Sequence, residues 1–387
     1  MENHKIKNKV WLYTGGLAAV NSLSAGGRLP ARACLLAFLI LSLTSCQNQF
    51  VKESSFRRSG KSAAEVPAEK NISLVCWNVQ TFFDAVVSGN EYTEFKNAEK
   101  WNKEKYTKRL NRLCDVMKTL NPDIFVMEEI ENEDVVQDIA NKLSGNSWEK
   151  KKSWQHVCFA KDVDSAIGCA VFSRYELTSL RTHSLDIRTQ TESQPSMRPV
   201  MQVAVMVGER EVELFVNHWK SKSGGAEETE IWRDWQELVL AETGDRALNP
   251  DQALQTEQAS DETADSLPVA RALVMCGDFN RSAEEFIMQK SEGIENLALR
   301  GGQKTLSVYS PWFRADGNFA TEGGSYFYDG QWERIDNIMI CGNISMQSFT
   351  TVTEAPIADE DGIPLPYKLY TGEGCSDHLP LKCVLTI

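Results

Sequence analysis

Ten cysteines run through this 387-residue chain without one C-x-x-C pair. A sulfur-rich structural zinc site therefore has no scaffold. The N-terminal apolar run, Ala33 to Leu43, falls well short of the ~20 residues that a helix needs to cross a bilayer. There is no internal repeat and no interior linker, so a single domain after the leader is the economical organisation. Positive charge is scarce as well: the net charge is −13, which weighs against binding a polyanion through Lys and Arg. That deficit is local, however. Between Glu227 and Asp265 twelve acidic residues stand against two basic ones, whereas Lys96 to Lys118 holds eight basic residues against three acidic. A polyanionic substrate stays open. What is present, 42% hydrophobic and 25% charged residues, is the composition of a soluble globular chain able to bury a sizeable core.

Residues 1–46 read as a targeting segment and are set aside from fold reasoning. Lysines and arginines precede the apolar run, which ends in Leu43-Thr44-Ser45-Cys46. That ending resembles the lipobox of bacterial lipoproteins and implies cleavage before Cys46, with lipid attached to its thiol. Residues 47–70 are polar and read as a flexible tether. The eight later cysteines sit mostly in apolar runs, as small buried hydrophobes do.

The domain is expected over 71–387. Asn71 to Asn78 reads as a strand. Tyr106, Leu110, Leu113, Met117 and Leu120 form one stripe at helical spacing, stopped by Asn121-Pro122. Asp123 to Met127 is a second strand, so the opening is a crossover unit. A second helix carries Val135, Val136, Ile139 and Leu143 and closes at Gly145. Strands are expected at Trp154–Ala160, Gly168–Ser173, Val200–Val207 and Glu213–Trp219, followed by a helix from about Glu227 to Glu242. Residues 249–266 read as an exposed acidic insertion. An apolar strand then runs into Asp278, Ser282 with Glu285 predicts a capped helix, and strands recur near Ser325–Tyr328, Arg334–Cys341 and Leu379–Ile387.

Residues with chemistry recur where apolar strands end: Asn78, Glu129, His218, Asp278 with Asn280, and Asp377-His378. Alone, Gly277-Asp278-Phe279-Asn280 reads as a turn or as a hard-oxygen pair facing a cleft. Ligands of α/β proteins gather beyond strand ends, and the repetition favours the cleft.

The ordered set Cys76-Trp77-Asn78-Val79, Val126-Met127-Glu128-Glu129-Ile130-Glu131-Asn132, Val216-Asn217-His218-Trp219-Lys220-Ser221-Lys222, Gly277-Asp278-Phe279-Asn280, Arg334-Ile335-Asp336 and Ser376-Asp377-His378 resembles the endonuclease/exonuclease/phosphatase superfamily, and covers Ile72 to the C-terminus. Each motif is weak alone; six in family order are strong. Glu128 departs from the family's usual Gln, and the 249–266 segment is longer than the common loop. The resemblance implies an α/β fold, a four-layer sandwich of two mixed β-sheets flanked by helices as in deoxyribonuclease I, and a metal-dependent phosphodiester hydrolase.

It also implies roles. Glu129 and Asn78 would hold the metal, Mg²⁺ with Mn²⁺ or Ca²⁺ as alternatives, and Asp377 would complete a second position. His378 is the general base, the side chain that titrates near neutrality, with Asp336 fixing its tautomer. His218 would donate to the scissile phosphate, while Asp278 and Asn280 orient the nucleophile. Lys220, Arg198 and Arg233 are candidates for phosphate contact or cleft support. The expected substrate is nucleic acid, DNA first. Behind it stand a sphingomyelinase-like lipid phosphodiesterase, for which the sequence shows no inserting aromatic hairpin, then an inositol-phosphate phosphatase. From another class comes a non-catalytic surface lipoprotein. The expected state is a monomer held at the membrane through Cys46.

Overall fold

Alternation sorts the apolar residues of this chain into two cores. In the computed structural model residues 8–14, 69–144, 153–187, 193–250, 271–289, 295–302 and 304–387 are described. Cys46, residues 47–68, Gly145 and residues 251–266 of the expected insertion lie outside them. In chain order the elements are β1 Asn8–Thr14, β2 Asn71–Phe82, α1 Lys103–Leu120, β3 Ile124–Ile130, α2 Glu133–Leu143, β4 His156–Asp162, β5 Gly168–Ser173, β6 Glu176–His183, β7 Val200–Val207, β8 Arg210–His218, α3 Glu230–Leu248, β9 Ala272–Asp278, β10 Ile287–Met288, β11 Leu297–Arg300, β12 Thr305–Val308, β13 Tyr326–Tyr328, β14 Gln331–Glu333, β15 Asp336–Gly342, β16 Ser345–Thr351 and β17 Leu381–Thr386.

Seven strands pair in the order β1-β4-β5-β3-β2-β17-β16 and five in the order β15-β9-β8-β7-β6. Each sheet is mixed: β2 runs parallel to β3, and β8 parallel to β9, amid antiparallel neighbours. Along β2, Ile72, Leu74 and Cys76 enter the core between the sheets. Val75, Trp77 and Val79 turn the other way, onto α1 and α2. That period of two is the pleat of a strand buried on both faces. β9 is buried along its whole length, with α3 contributing Leu240, Ala241 and Ala247 to the same core. Two mixed sheets with helices on their outer faces are the expected sandwich. Cleavage before Cys46 would remove β1, which pairs only with β4, and leave β4 at the sheet edge.

Two expectations change. The helix expected after Ser282 is a single 3₁₀ turn, Ala283–Glu285. The capping box forms, but Ile287 and Met288 pair with β11, and that ends the turn. α3 begins at Glu230, not near Glu227, and extends to Leu248. Strands β6 and β16 carry too little apolar pattern to announce themselves; they hold sheet edges, where one exposed face is tolerated.

One glycine decides a close approach. Gly277 has φ of +130°, and a Cβ there would lie 1.9 Å from the carbonyl oxygen of Asn217 on the paired strand. Gly277→Ala is expected to cost more than the ~1–3 kcal/mol of backbone strain alone, because backbone must also move. A chemical-denaturation midpoint equal to wild type would contradict this.

Candidate active site

Strand register assembles the site. β8 lies parallel to β9 with His218 opposite Asp278, and β15 lies antiparallel to β9 with Asp336 opposite the same residue. From the other sheet, β2 and β3 deliver Asn78 and Glu129. The Asn78 Nδ2 donates to Glu129 Oε1 at 3.2 Å and to Asp278 Oδ2 at 3.1 Å, so one carboxamide ties the two sheets together at the cleft. Glu129 reaches this place through an irregularity. The pairing of β3 shifts between Glu128 and Ile130, and Glu129 adopts φ of +66°. Glu128 meanwhile stays buried, receiving the Cys76 thiol at 3.2 Å. Burial, with Asp336 and Asp278 nearby, holds its carboxyl well above the usual carboxylate range. A protonated Glu128 is close in shape and hydrogen bonding to the glutamine usual at this position.

His378 Nδ1 meets Asp336 Oδ2 at 2.8 Å, which turns Nε2 toward Asp278 at 3.9 Å and Asp377 at 4.0 Å. Although burial opposes the charged ring, Asp336, Asp377 and Asp278 together hold its pKa well above the ordinary value. Asp278 is pushed up to about 7, chiefly by burial, with Asp336 adding to the rise. His218 is held well below its ordinary value by burial and by Arg198 and His378, so it is neutral. Its Nε2 lies 3.6 Å from Glu129, 3.7 Å from Asp278 and 2.9 Å from the Arg198 guanidinium. Arg198 can only donate in that contact, so His218 accepts at Nε2 here. Donation to a phosphate requires Arg198 to move onto the phosphate first.

Behind these groups stands an ordered support. Asn280, with φ of +47°, donates its Nδ2 to the Trp219 carbonyl at 3.1 Å and its backbone N–H to Asp278 at 2.8 Å. The Ser376 hydroxyl donates to the Asn78 carbonyl at 2.6 Å and fixes the Asp377-His378 turn. Arg109, buried in α1, donates to the carbonyls of Val79, Gln80 and Thr81. The backbone N–H of Thr81 in turn donates to Glu129 Oε2. An interior arginine on an amphipathic helix was the available sign of Arg109's role.

Around them opens a cleft of about 970 Å³. Glu129, Arg198, His218, Lys220, Asp278, Asn280, Asp377 and His378 all line it. Two sequence-based assignments need correction, and two further sources of positive charge do not serve the cleft. Arg233 does not face the cleft: it is fully buried and donates to the Lys220 and Ala226 carbonyls and to Glu230. It supports the loop after β8. Asn78 offers nitrogen, not oxygen, to the carboxylates, because its Oδ1 accepts the Gln80 N–H at 3.0 Å. As placed it is a bridge, and a metal ligand only after its amide turns over. The Lys222 ammonium is engaged by Glu333 at 3.0 Å and Glu285 at 3.4 Å. No residue of 96–118 lines the cleft, so the basic segment does not extend its rim. The cleft also contains residues that the motifs did not single out, notably Tyr92, Tyr326 and Tyr328.

The donor set fits a divalent cation. Glu129, Asp278 and Asp377 line the cleft with hard oxygens, and Asp278, whose charged form burial disfavours, stands to gain from a cation. Asp278, Asp336 and His378 also lie close enough to share an ion. Since His378 Nδ1 and Asp336 are bonded to each other, Asp278 is the member of that cluster not committed to another, with Glu129 and Asp377 as further carboxylates lining the cleft. Asp278 titrates near 7 in the folded chain against roughly 3.9 for an ordinary Asp. The raised value means that folding takes up a proton, so this residue's contribution to stability declines as pH rises from about 4 to 7. A cation binds the ionised form. The rise in Tm on adding Mg²⁺ to chelator-treated protein should therefore be larger at pH 8 than at pH 5; equal increments would dismiss the carboxylate site.

Fold and cleft together define a hydrolase acting on phosphoesters. The sequence profile of the endonuclease/exonuclease/phosphatase family matches residues 73–384, and the chain belongs to that family. No protein of curated function matches the sequence. Similar solved structures include truncated TDP2 from Caenorhabditis elegans, 13% identical over 82% of this chain and 98% of that one, with a TM-score of 0.46. The human Nocturnin catalytic domain with bound sulfate is 16% identical over 81% and 94%, with a TM-score of 0.46. A family member from Bacteroides thetaiotaomicron is 13% identical over 83% and 99%, with a TM-score of 0.45. Likeness at this level says nothing about substrate. Such enzymes work with a divalent metal.

Proposed function

We propose that this protein hydrolyses the phosphodiester backbone of nucleic acid, DNA first, with Mg²⁺, as an exported lipoprotein anchored through Cys46. The observation that carries the proposal is the His378–Asp336 pair with His378 Nε2 3.9 Å from Asp278, in an open cleft that Arg198 and Lys220 also line. Glu129, Asp278 and Asp377 would hold the cation, which supplies positive charge to the phosphate oxygens. His378 takes a proton at Nε2 from the attacking water, while Asp336 keeps the Nδ1 proton in place. Asn280, whose Nδ2 is committed to Trp219, has its Oδ1 left to orient that water. Arg198 shifts from His218 to the phosphate, and neutral His218 donates to it from Nε2 once its single ring proton has moved there from Nδ1.

Protein beginning at Cys46 should nick plasmid DNA with Mg²⁺ and stop when EDTA is added. Intact DNA under conditions where sphingomyelin or an inositol phosphate is cleaved would overturn the nucleic-acid assignment. Turnover of no phosphoester would favour a binding lipoprotein on the same fold. One observation favours the lipid reading. The loop that sends Asn90 and Tyr92 to the cleft exposes Val86 and Val87, at 69% and 60%. Contrary to the sequence-based expectation, an aromatic hairpin with an exposed Tyr328 also stands at the cleft.

A further inference from the structure

The hairpin β13–β14 carries more than the catalytic chemistry uses. Its turn, Asp329-Gly330, has positive φ at both residues, +48° and +76°, the geometry of a two-residue turn that keeps strand twist. Tyr326 pairs with Glu333 and Tyr328 with Gln331, so the alternation puts both tyrosines on one face. On the other face Phe327 packs edge-on against Trp332, centroids 5.0 Å apart. That contact fixes which way the hairpin turns. Tyr326 forms an antiparallel bridge with His378, and Leu379 N–H donates to the Ser325 carbonyl at 2.7 Å, so the hairpin is pinned beside the base.

Three rings result in sequence from the interior outward. His378 and Tyr326 have centroids 4.8 Å apart with 39° between their planes. Tyr326 and Tyr328 are nearly parallel, 11° apart in plane with centroids 6.2 Å apart. Exposure grows along this column, from 5% at His378 to 63% at Tyr328. Both tyrosines line the cleft. Tyr328, a large exposed aromatic held parallel to Tyr326 and one ring from the general base, meets no ring but Tyr326 among the described residues.

We infer that Tyr326 and Tyr328 form a stacking subsite for a planar ring, the nucleobase beside the phosphate under attack. This rests on the phosphodiesterase reading and deepens it: the enzyme selects phosphodiesters that carry flat aromatic rings. A parallel ring column is extended most simply by another flat ring, and aromatic side chains bind bases this way without regard to sequence. Hexoses also lie on aromatic faces, and the test separates them.

The experiment compares wild type, Tyr328→Ala and Tyr328→Phe on d(TpT) and on the same dinucleotide lacking both bases. Equilibrium binding of thymidine 5′-monophosphate, deoxyribose 5-phosphate and mannose 6-phosphate is measured in parallel. Wild type should show a lower KM for d(TpT) than for the base-free diester. Tyr328→Ala should shrink that ratio by about 5- to 150-fold, as loss of one stacked base predicts, and Tyr328→Phe should keep it. Tyr328 projects to solvent, so its truncation leaves the core intact. If Tyr328→Ala alters both diesters equally, or neither, the subsite is overturned. If mannose 6-phosphate binds through Tyr328 more tightly than the nucleotide, the assignment to a base is overturned. Failure to hydrolyse either diester would sink the phosphodiesterase reading alone, since the binding comparison still decides stacking.

Discussion

His378→Ala should lower kcat on a phosphodiester by a factor of about 10² to 10⁴, the usual worth of a positioned general base, with a much smaller change in KM. The physical basis is the pair itself. Nδ1 is bound to Asp336 at 2.8 Å, so the proton acceptor is Nε2, and Nε2 faces the cleft. The sign of the pH effect follows from the raised pKa, caused by Asp336, Asp377 and Asp278 against the opposing burial. The imidazolium is favoured in the folded chain, so its contribution to stability is complete below roughly pH 6.5 and is lost as pH rises through the folded value. Catalysis runs the opposite way, because only the neutral ring accepts a proton. Wild-type kcat should climb with pH through the neutral range, and the residual rate of the variant should lack that limb. Asp336→Asn, which keeps the shape and removes the carboxylate, should reduce kcat and displace the limb to lower pH. A variant that retained wild-type kcat at pH 8 would remove His378 from the base position.

Asp278→Asn should reduce kcat by roughly 10² to 10³, comparable to deleting one preorganised transition-state contact, and should abolish the Mg²⁺-dependent rise in Tm. Asp278 is the junction of the site. It accepts from Asn78 Nδ2 and from the Asn280 N–H, and lies within 4 Å of both catalytic-site histidines. The isosteric change leaves no cavity and removes a charge that burial already disfavours. Both Asp278 oxygens accept from N–H donors and an amide NH2 cannot, so without the cation at pH 8 the variant should lose no more than the ~1–3 kcal/mol of one buried hydrogen bond. That pairing, fold kept and activity lost, separates a role in the site from damage to the fold. A variant that fails to fold cooperatively without cation would instead make Asp278 a structural residue.

Uninterrupted apolar runs placed β2, β3, β5, β7, β8 and β9 in the sequence, because a strand buried on both faces tolerates little polar interruption until it reaches the cleft. The same rule marked Asn78, Glu129, His218 and Asp278, each at the end of an apolar run or one residue beyond it; the choice of Glu129 over Glu128 came from the family resemblance. Arg233 misled because an arginine in an acidic segment looks solvent-facing. Three-dimensional packing instead buries it as the tie between α3 and the loop after β8. The 3₁₀ turn at Ala283–Glu285 misled for a related reason: local capping signals cannot register the competing pairing of β10 with β11.

Composition and strand pattern thus point to an α/β domain with polar residues at its strand ends, and the resemblance carried by the ordered motifs implies the two-sheet sandwich, the family and most of the residues that line the cleft. They are local properties, written within a few residues of each site. Which way the Asn78 carboxamide faces, that the Glu128 pKa is raised, that Arg198 rests on His218, and that two tyrosines stack outward from His378 all depend on groups far apart in the chain. Burial and neighbouring charge set those states, and only the packing of one sheet against the other brings Asn78, Asp278 and His378 close enough for them to act on one another.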